Sequence, residues 1–419
     1  MNSVPADIGL LRSPREVLFG AGVRTALPRI IRAHGTTVFI CTDPVIVKTP
    51  GFQDTLHDLE AAGLRCTVWS VTEPELPLAA VHQAIAAARS ANPDVLLGFG
   101  GGSAIDLAKL VAVGLASDLP LSAHYGENLV PAGLVPIVAV PTTAGTGSEV
   151  TPVAVLADPA RALKVGVSSP ELIPAAAVVD PELTISCPAK VTAFSGIDAL
   201  THAIESYSAQ PRTLDFAGKL PVFIGSNRIS AALGLEAAAA IAPSLAAAVH
   251  HPSNIEARVS MSYGSLTAGL AFGVGGTHLS HALQYPIGQL THTPHGLGVG
   301  LLLPYVMEAC LPTAREAFTE LGQAMGVAGH QPDEAAEATI RWVVDLRRRI
   351  GIPHTLADIG LHADDLPRIE ELAGGVARLV ANTPAVDPQA LLEPVLRNAL
   401  NGASDIFPAP HLTSTGVTP

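Results

Sequence analysis

Asp198 and His202 lie four residues apart in the run SGIDALTHAIESY, whose apolar spacing predicts a helix. Residues i and i+4 share one helix face, so this carboxylate and imidazole can reach the same divalent cation. Downstream, the stretch GGTHLSHALQYPIGQLTHTPHGLGVG places His278, His281, His292 and His295 in otherwise apolar, charge-poor sequence. Imidazoles are costly to bury without partners, and coordination supplies partners. One Asp with two or three His is a borderline donor set suited to Fe(II) or Zn(II), with an open position for a substrate oxygen.

A second group of residues suits a nucleotide. Gly100, Gly101, Gly102 and Ser103 follow the apolar run DVLLGF and open the helical pattern SAIDLAKLVAVG, with Asp106 in its first turn. Glycines let backbone N–H groups approach a pyrophosphate, and a helix N-terminus adds partial positive charge. The spacing is neither GxGxxG nor a Walker A loop. Thr142 and Thr143 begin a run of small hydroxylated residues directly after VPIVAVP, at a strand's carboxyl end, where open α/β sheets bind ligands. Asp43 ends the run TTVFICTD, where a carboxylate can accept from an adenosine ribose and repel a 2′-phosphate. That position favours NAD and leaves NADP as the alternative; turn chemistry before Pro44 explains the same Asp equally well.

These residues need a scaffold, and the patterning supplies one. From Glu16 to about Pro188, short β-branched runs alternate with helical stretches, which predicts a parallel α/β domain. Beyond it, long Ala/Leu helices dominate, with breaks at 211–221, 273–277, 291–294 and 351–353. The expected organisation is a Rossmann-like α/β domain over residues 1–186 and an all-α, metal-holding domain over 187–419. At 419 residues two cores are the natural expectation. A net charge of −13 with few Lys/Arg clusters argues against a nucleic-acid surface. The run Arg347-Arg348-Arg349 reads as a solvated or dipole-matched helix C-terminus. Glu236 and Pro243 interrupt the apolar stretch 233–249, which reads as a buried, Ala-rich helix or pair of helices and not as a membrane span. The four cysteines form no CxxC pair, and the N-terminal run MNSVPADIGLLRSPREV lacks a signal-peptide pattern. A cytoplasmic protein is expected. The tail FPAPHLTSTGVTP is too rich in Pro and polar residues to assign an element.

Four ordered motifs, FGGGSAIDLAK, PTTAGTGSEVTPVAVL, DALTHAIESY and HALQYPIGQLTHTPHG followed by LLLPYV, resemble the iron-containing (group III) alcohol dehydrogenase family. The opening REVLFGAG and the strand end CTD extend the resemblance over nearly the whole chain. The resemblance implies a dehydroquinate synthase-like fold and metal ligands Asp198, His202, His281 and His295. It implies nucleotide contacts at Asp43, Gly100, Gly101, Gly102, Ser103, Asp106, Thr142 and Thr143, and places Lys164 near the nicotinamide ribose. It also implies a homodimer or higher homo-oligomer. The chain departs from the family at Tyr285, where most members carry a histidine that relays a proton. That tyrosine, and the segment PRTLDFAGKLPVFIGSNRIS, are similar to the hydroxyacid–oxoacid transhydrogenase branch.

The expected activity is NAD(P)-linked, metal-dependent interconversion of alcohol and carbonyl, in which a Lewis acid polarises the carbonyl while nicotinamide delivers hydride. Tyr285, His278, His292 or a water can return the proton. The expected substrate is a small, anionic aldehyde or hydroxy acid such as succinic semialdehyde or phosphonoacetaldehyde, with Arg228 and Lys219 offered as its anion contacts. Two other activities stay open: a transhydrogenase that keeps its cofactor bound, and a metal- and NAD-dependent lyase of the dehydroquinate synthase type.

Overall fold

The computed structural model describes residues 8–327 and 331–407. Nearly all of the Pro-rich tail, and the first seven residues, lie outside that range. Nine strands are described: β1 Glu16–Phe19, β2 Thr37–Cys41, β3 Arg65–Trp69, β4 Val95–Gly100, β5 Gly126–Glu127, β6 Ile137–Pro141, β7 Val153–Leu156, β8 Val165–Ser168 and β9 Ala176–Val179. Helices α1 Leu27–Arg32, α2 Pro50–Ala61, α3 Leu78–Ala91 and α4 Gly102–Ala116 alternate with the strands. After β9 only helices follow among the described residues: α5 Ala189–Ser208, α6 Arg228–His250, α7 Ile255–Gly275, α8 Leu279–Thr291, α9 His295–Ala324, α10 Ala335–Arg349, α11 Leu366–Gly374, α12 Ala377–Ala381 and α13 Leu392–Asn401.

Six strands form one parallel sheet in the order β1-β9-β6-β4-β2-β3. Every residue of β4 and β6 is buried, as expected of strands covered on both faces. One face packs Phe39, Ile85 and Leu110, the other Phe52, Phe99 and Val138, with Phe52 edge-on to Phe99 at 5.2 Å. From β2 the chain steps outward to β3 and then crosses back to place β4 on the other side of β2. The connections leaving β2 and β4 therefore diverge, opening a crevice at their carboxyl ends where Asp43 and the glycine loop lie. The small sheet β5-β8-β7, with β7 and β8 antiparallel, was not anticipated from the sequence. Its hairpin presents Lys164.

The helical part has its own core, centred on Ile197, Leu245, Leu302 and Val344. Val150, Val179 and Leu266 pack across the seam, beside Phe19 and Tyr263 at 5.5 Å. The breaks expected in the sequence coincide with the turns between helices. Helix α6 runs unbroken through Glu236 and Pro243. By length and composition α6 and α9 both suffice to cross a membrane; here α6 lies against α5 and α7, and α9 against α5, α8 and α10. The basic run stands in the last turn of α10, as read, but Arg347 in it is not solvated. Arg347 is buried, donating to Leu301 O at 2.7 Å, contacting His354 Nδ1 at 2.6 Å and covering the Tyr305 ring.

Candidate metal and cofactor site

Three helices deliver the side chains expected to hold a metal. Asp198 and His202 project from α5, His281 from the first turn of α8, and His295 is the first residue of α9. The α9 end reaches α5 because Gly296 has no side chain: a Cβ there would lie 2.0 Å from Phe194 O. Asp198 Oδ1 is the hub, 3.7 Å from His202 Nε2, 3.7 Å from His281 Nε2 and 3.8 Å from His295 Nε2. Two donors each about 2.1 Å from a tetrahedral cation are about 3.4 Å apart, close to this spacing. Donor atoms of Asp198, His202 and His281 all fall within 4.8 Å of one another.

The buried polar atoms test whether a cation fits. Asp198 Oδ1 and His281 Nε2 are both buried without a hydrogen-bond partner, an arrangement that costs free energy unless something electrophilic sits between them. Burial pushes the Asp198 carboxyl up to about 7, with Glu205 adding to the rise and His281 opposing it. Burial and the neighbouring His281 hold His202 and His295 well below the ordinary imidazole range, so both offer neutral lone pairs. The residues fit a divalent cation.

Sequence reasoning passed over Glu205, although it stands seven residues after Asp198 on the same helical stripe. It is fully buried and accepts from His278 N at 2.8 Å and Ser280 N at 2.7 Å, and meets His281 Nδ1 at 2.6 Å. His202 Nδ1 is held by Gly145 O at 3.2 Å, and the His202 ring stacks on Phe272 at 4.1 Å.

From the metal side a cleft of about 910 Å³ runs to the crevice of the sheet, lined at that end by Asp43, Gly102 and Ser103. Helix α4 starts from Gly101, which has no side chain to occupy its first-turn N–H groups. Gly102 is required by contact, since a Cβ there would meet Thr146 at 2.7 Å. Asp43 makes the turn contacts read from the sequence and also stands on the cleft. Its Oδ1 accepts from Val45 N and Ile46 N at 2.8 and 2.9 Å, while the residue still lines the cleft. Asp106 Oδ2 holds Val155 N at 3.0 Å, and its other oxygen is buried without a partner. Lys164 lines the cleft, paired with Glu75 at 2.8 Å. Thr142, Thr143, Gly100 and Gly101 shape the loops and are not among the lining residues; Thr142 N donates to Gly100 O at 3.0 Å.

The proton-return candidates separate. His278 does not line the cleft. Its Nδ1 accepts from Leu279 N at 2.8 Å and its Nε2 meets Ser208 Oγ at 3.1 Å, so it caps α8. Tyr285 and His292 line the cleft, with the Tyr285 ring 6.1 Å from that of His295. Burial raises the Tyr285 phenol, opposed by Arg378, so it holds its proton at neutral pH. Arg228 and Lys219 are exposed and do not line the cleft. The arginine that does is Arg378, from α12, which no motif announced.

Comparison with known proteins settles the family. Residues 14–181 match the family "Iron-containing alcohol dehydrogenase", and residues 192–400 match "Fe-containing alcohol dehydrogenase family, C-terminal". The chain belongs to the iron-containing alcohol dehydrogenase family. It is 36% identical over 365 residues to long-chain-alcohol dehydrogenase 1 of Geobacillus thermodenitrificans, covering 85% of this chain and 88% of that one. The structure of a 1,3-propanediol oxidoreductase superposes with a TM-score of 0.86 at 30% identity, covering 94% of this chain and all of that one. A sulfoacetaldehyde reductase of Bifidobacterium kashiwanohense, solved with NAD+, superposes at 0.82 and 27% identity, with 94% and 100% covered. This chain is therefore an oxidoreductase of that family, with a parallel-sheet N-terminal part and a helical C-terminal part.

Proposed function

We propose that this enzyme reduces small aldehydes carrying an anionic group, with NAD as the nucleotide and Fe(II), or Zn(II) in its place, at Asp198, His202, His281 and His295. The bound metal would polarise the carbonyl oxygen and the nicotinamide would supply hydride. The chain contributes the rest. Asp43, Gly102 and Ser103 hold the nucleotide end, Asp106 and Lys164 bound the middle of the cleft, and Tyr285 or His292 returns the proton to the oxygen.

Arg378 carries the substrate assignment. Its guanidinium lies 4.2 Å over the Phe223 ring, with Nε 3.7 Å from Glu127 Oε1, and among the described residues it makes no hydrogen bond. Burial lowers its pKa, as expected of a cation short of compensation. A carboxylate, sulfonate or phosphonate reaching into the cleft would supply a charge-assisted partner. The likeness to a sulfoacetaldehyde reductase, whose substrate is by name an anionic aldehyde, supports this reading. The four free cysteines support a reducing, cytoplasmic setting.

NADH oxidation by succinic semialdehyde and by neutral butanal tests the assignment. The anion is expected to show the higher kcat/KM in the native enzyme. Arg378→Met should lower kcat/KM for the anion by about tenfold to a hundredfold, the worth of one charged hydrogen bond, and leave butanal nearly unchanged. Preference for butanal in the native enzyme, or an equal loss for both substrates, would refute the assignment.

A further inference from the structure

Glu205 is a fully buried carboxylate beside the metal site that neither ligates nor is among the residues lining the cleft. Its two oxygens take two backbone donors and meet one ring nitrogen. Oε1 accepts from Ser280 N, and Oε2 accepts from His278 N while facing His281 Nδ1. The two backbone groups belong to the start of α8, where His278 is the N-cap and His281 stands in the first turn. One side chain from α5 thus closes the start of α8 and grips a ring nitrogen of a metal-site histidine on it.

We infer that Glu205 is a positioning residue that makes His281 a ligand by fixing its tautomer and its ring. With a backbone N–H already donated to each of its oxygens, the ionised carboxylate can only accept from His281. The proton of a neutral His281 is therefore on Nδ1, and its lone pair is on Nε2. That Nε2 is the buried, partnerless atom facing Asp198 Oδ1 at 3.7 Å. Carboxylates in this relation to metal-binding imidazoles orient the ring and raise its basicity. The same contacts tie α5 to α8 where each carries a residue of the metal site.

Glu205→Gln isolates this role, because it keeps the volume and removes one acceptor oxygen. If the amide NH2 takes the Oε1 place, it opposes Ser280 N–H. If it takes the Oε2 place, it opposes His278 N–H and draws the His281 proton onto Nε2, where it blocks coordination. Either orientation costs metal affinity.

The inference rests on Asp198, His202, His281 and His295 being a metal site, and the experiment separates the two. Zn(II) affinity of the full-length protein is measured by competition with a chromophoric chelator, with circular dichroism as the folding control. Glu205→Gln is expected to bind Zn(II) about 10- to 100-fold more weakly. In a His281→Ala background the same substitution should change affinity by no more than about twofold, because the route through His281 is already gone. In the metal-free native protein, ¹⁵N shifts of the His281 ring should report the Nδ1–H tautomer, a readout that needs no variant to fold. Native-like Zn(II) affinity in Glu205→Gln, an equal loss in the His281→Ala background, or an Nε2–H tautomer each overturns the role of Glu205. Failure of the native protein to bind Zn(II) or Fe(II) at all overturns the metal site itself.

Discussion

Gly296→Ala tests how closely the metal site depends on the approach of α9 to α5. The added Cβ would lie 2.0 Å from Phe194 O, 2.7 Å from its carbonyl carbon and 3.2 Å from Asp198 Cβ. An ordinary carbon–oxygen contact is about 3.3 Å, so the start of α9 must retreat by roughly 1.3 Å. His295, one residue earlier, moves with it. Its Nε2 now lies 3.8 Å from Asp198 Oδ1, and the retreat carries it to about 5 Å, beyond the roughly 3.4 Å at which two donors share one tetrahedral cation. Overpacking costs about 1–3 kcal/mol, and replacing a helical glycine by alanine returns about 1 kcal/mol. Global stability should therefore change little, while Zn(II) affinity falls by at least the roughly tenfold seen when a residue merely supporting a ligand is lost. The assays are chelator competition and thermal unfolding of the metal-free protein. A variant that binds Zn(II) and turns over like the native enzyme would show that α9 yields elsewhere and that this contact does not set the site.

Two further outcomes follow, one from the cleft and one from a buried carboxyl. Asp43→Gly should narrow the preference for NADH over NADPH by about tenfold, the scale of one carboxylate–phosphate repulsion in partly screened surroundings; equal use of both cofactors by the unmutated enzyme would refute the role of Asp43. Burial pushes the Glu149 carboxyl up to about 7 from 4.5, against the pull of nearby Lys109. Because the folded value is the higher one, the stability from its protonated form is complete below pH 4.5 and is lost as pH rises toward 7. Glu149→Gln should therefore gain stability relative to the native protein between pH 5 and 7, read from urea midpoints. A constant difference across that window would sink the argument.

The legible parts of the site were those written locally. Asp198 and His202 could be paired from helical spacing alone, and the glycine loop from its place between an apolar strand and a helix. His281 and His295 stood out as a dense group, but choosing them over His278 and His292 required the resemblance. Spacing does not reveal that the His278 ring is spent on capping α8 and touching Ser208. Glu205 was readable in principle, as the third polar position on a stripe that already held two ligands. Arg378 was not, because it enters from α12, whose approach to Tyr285 is set only by tertiary packing. The same blindness made Arg347 look solvated, since its acceptor, Leu301 O, lies on another helix.

The hydrogen bond from His202 Nδ1 to Gly145 O joins the two halves of the reaction centre. Gly145 belongs to the loop that follows β6, beside Thr146 and Ser148, which line the cleft, while His202 is one of the residues proposed to hold the metal. A bound nucleotide that shifted this loop would change the aim of His202, and a bound cation that drew His202 inward would pull on the loop. Coupling free energies between two binding sites are reciprocal, so whatever factor NAD adds to metal affinity the metal must add to NAD affinity. Stripping the metal would then alter how well the protein holds its nucleotide as well as its chemistry, and cofactor titrations of metal-free and metal-loaded protein would measure that thermodynamic linkage directly.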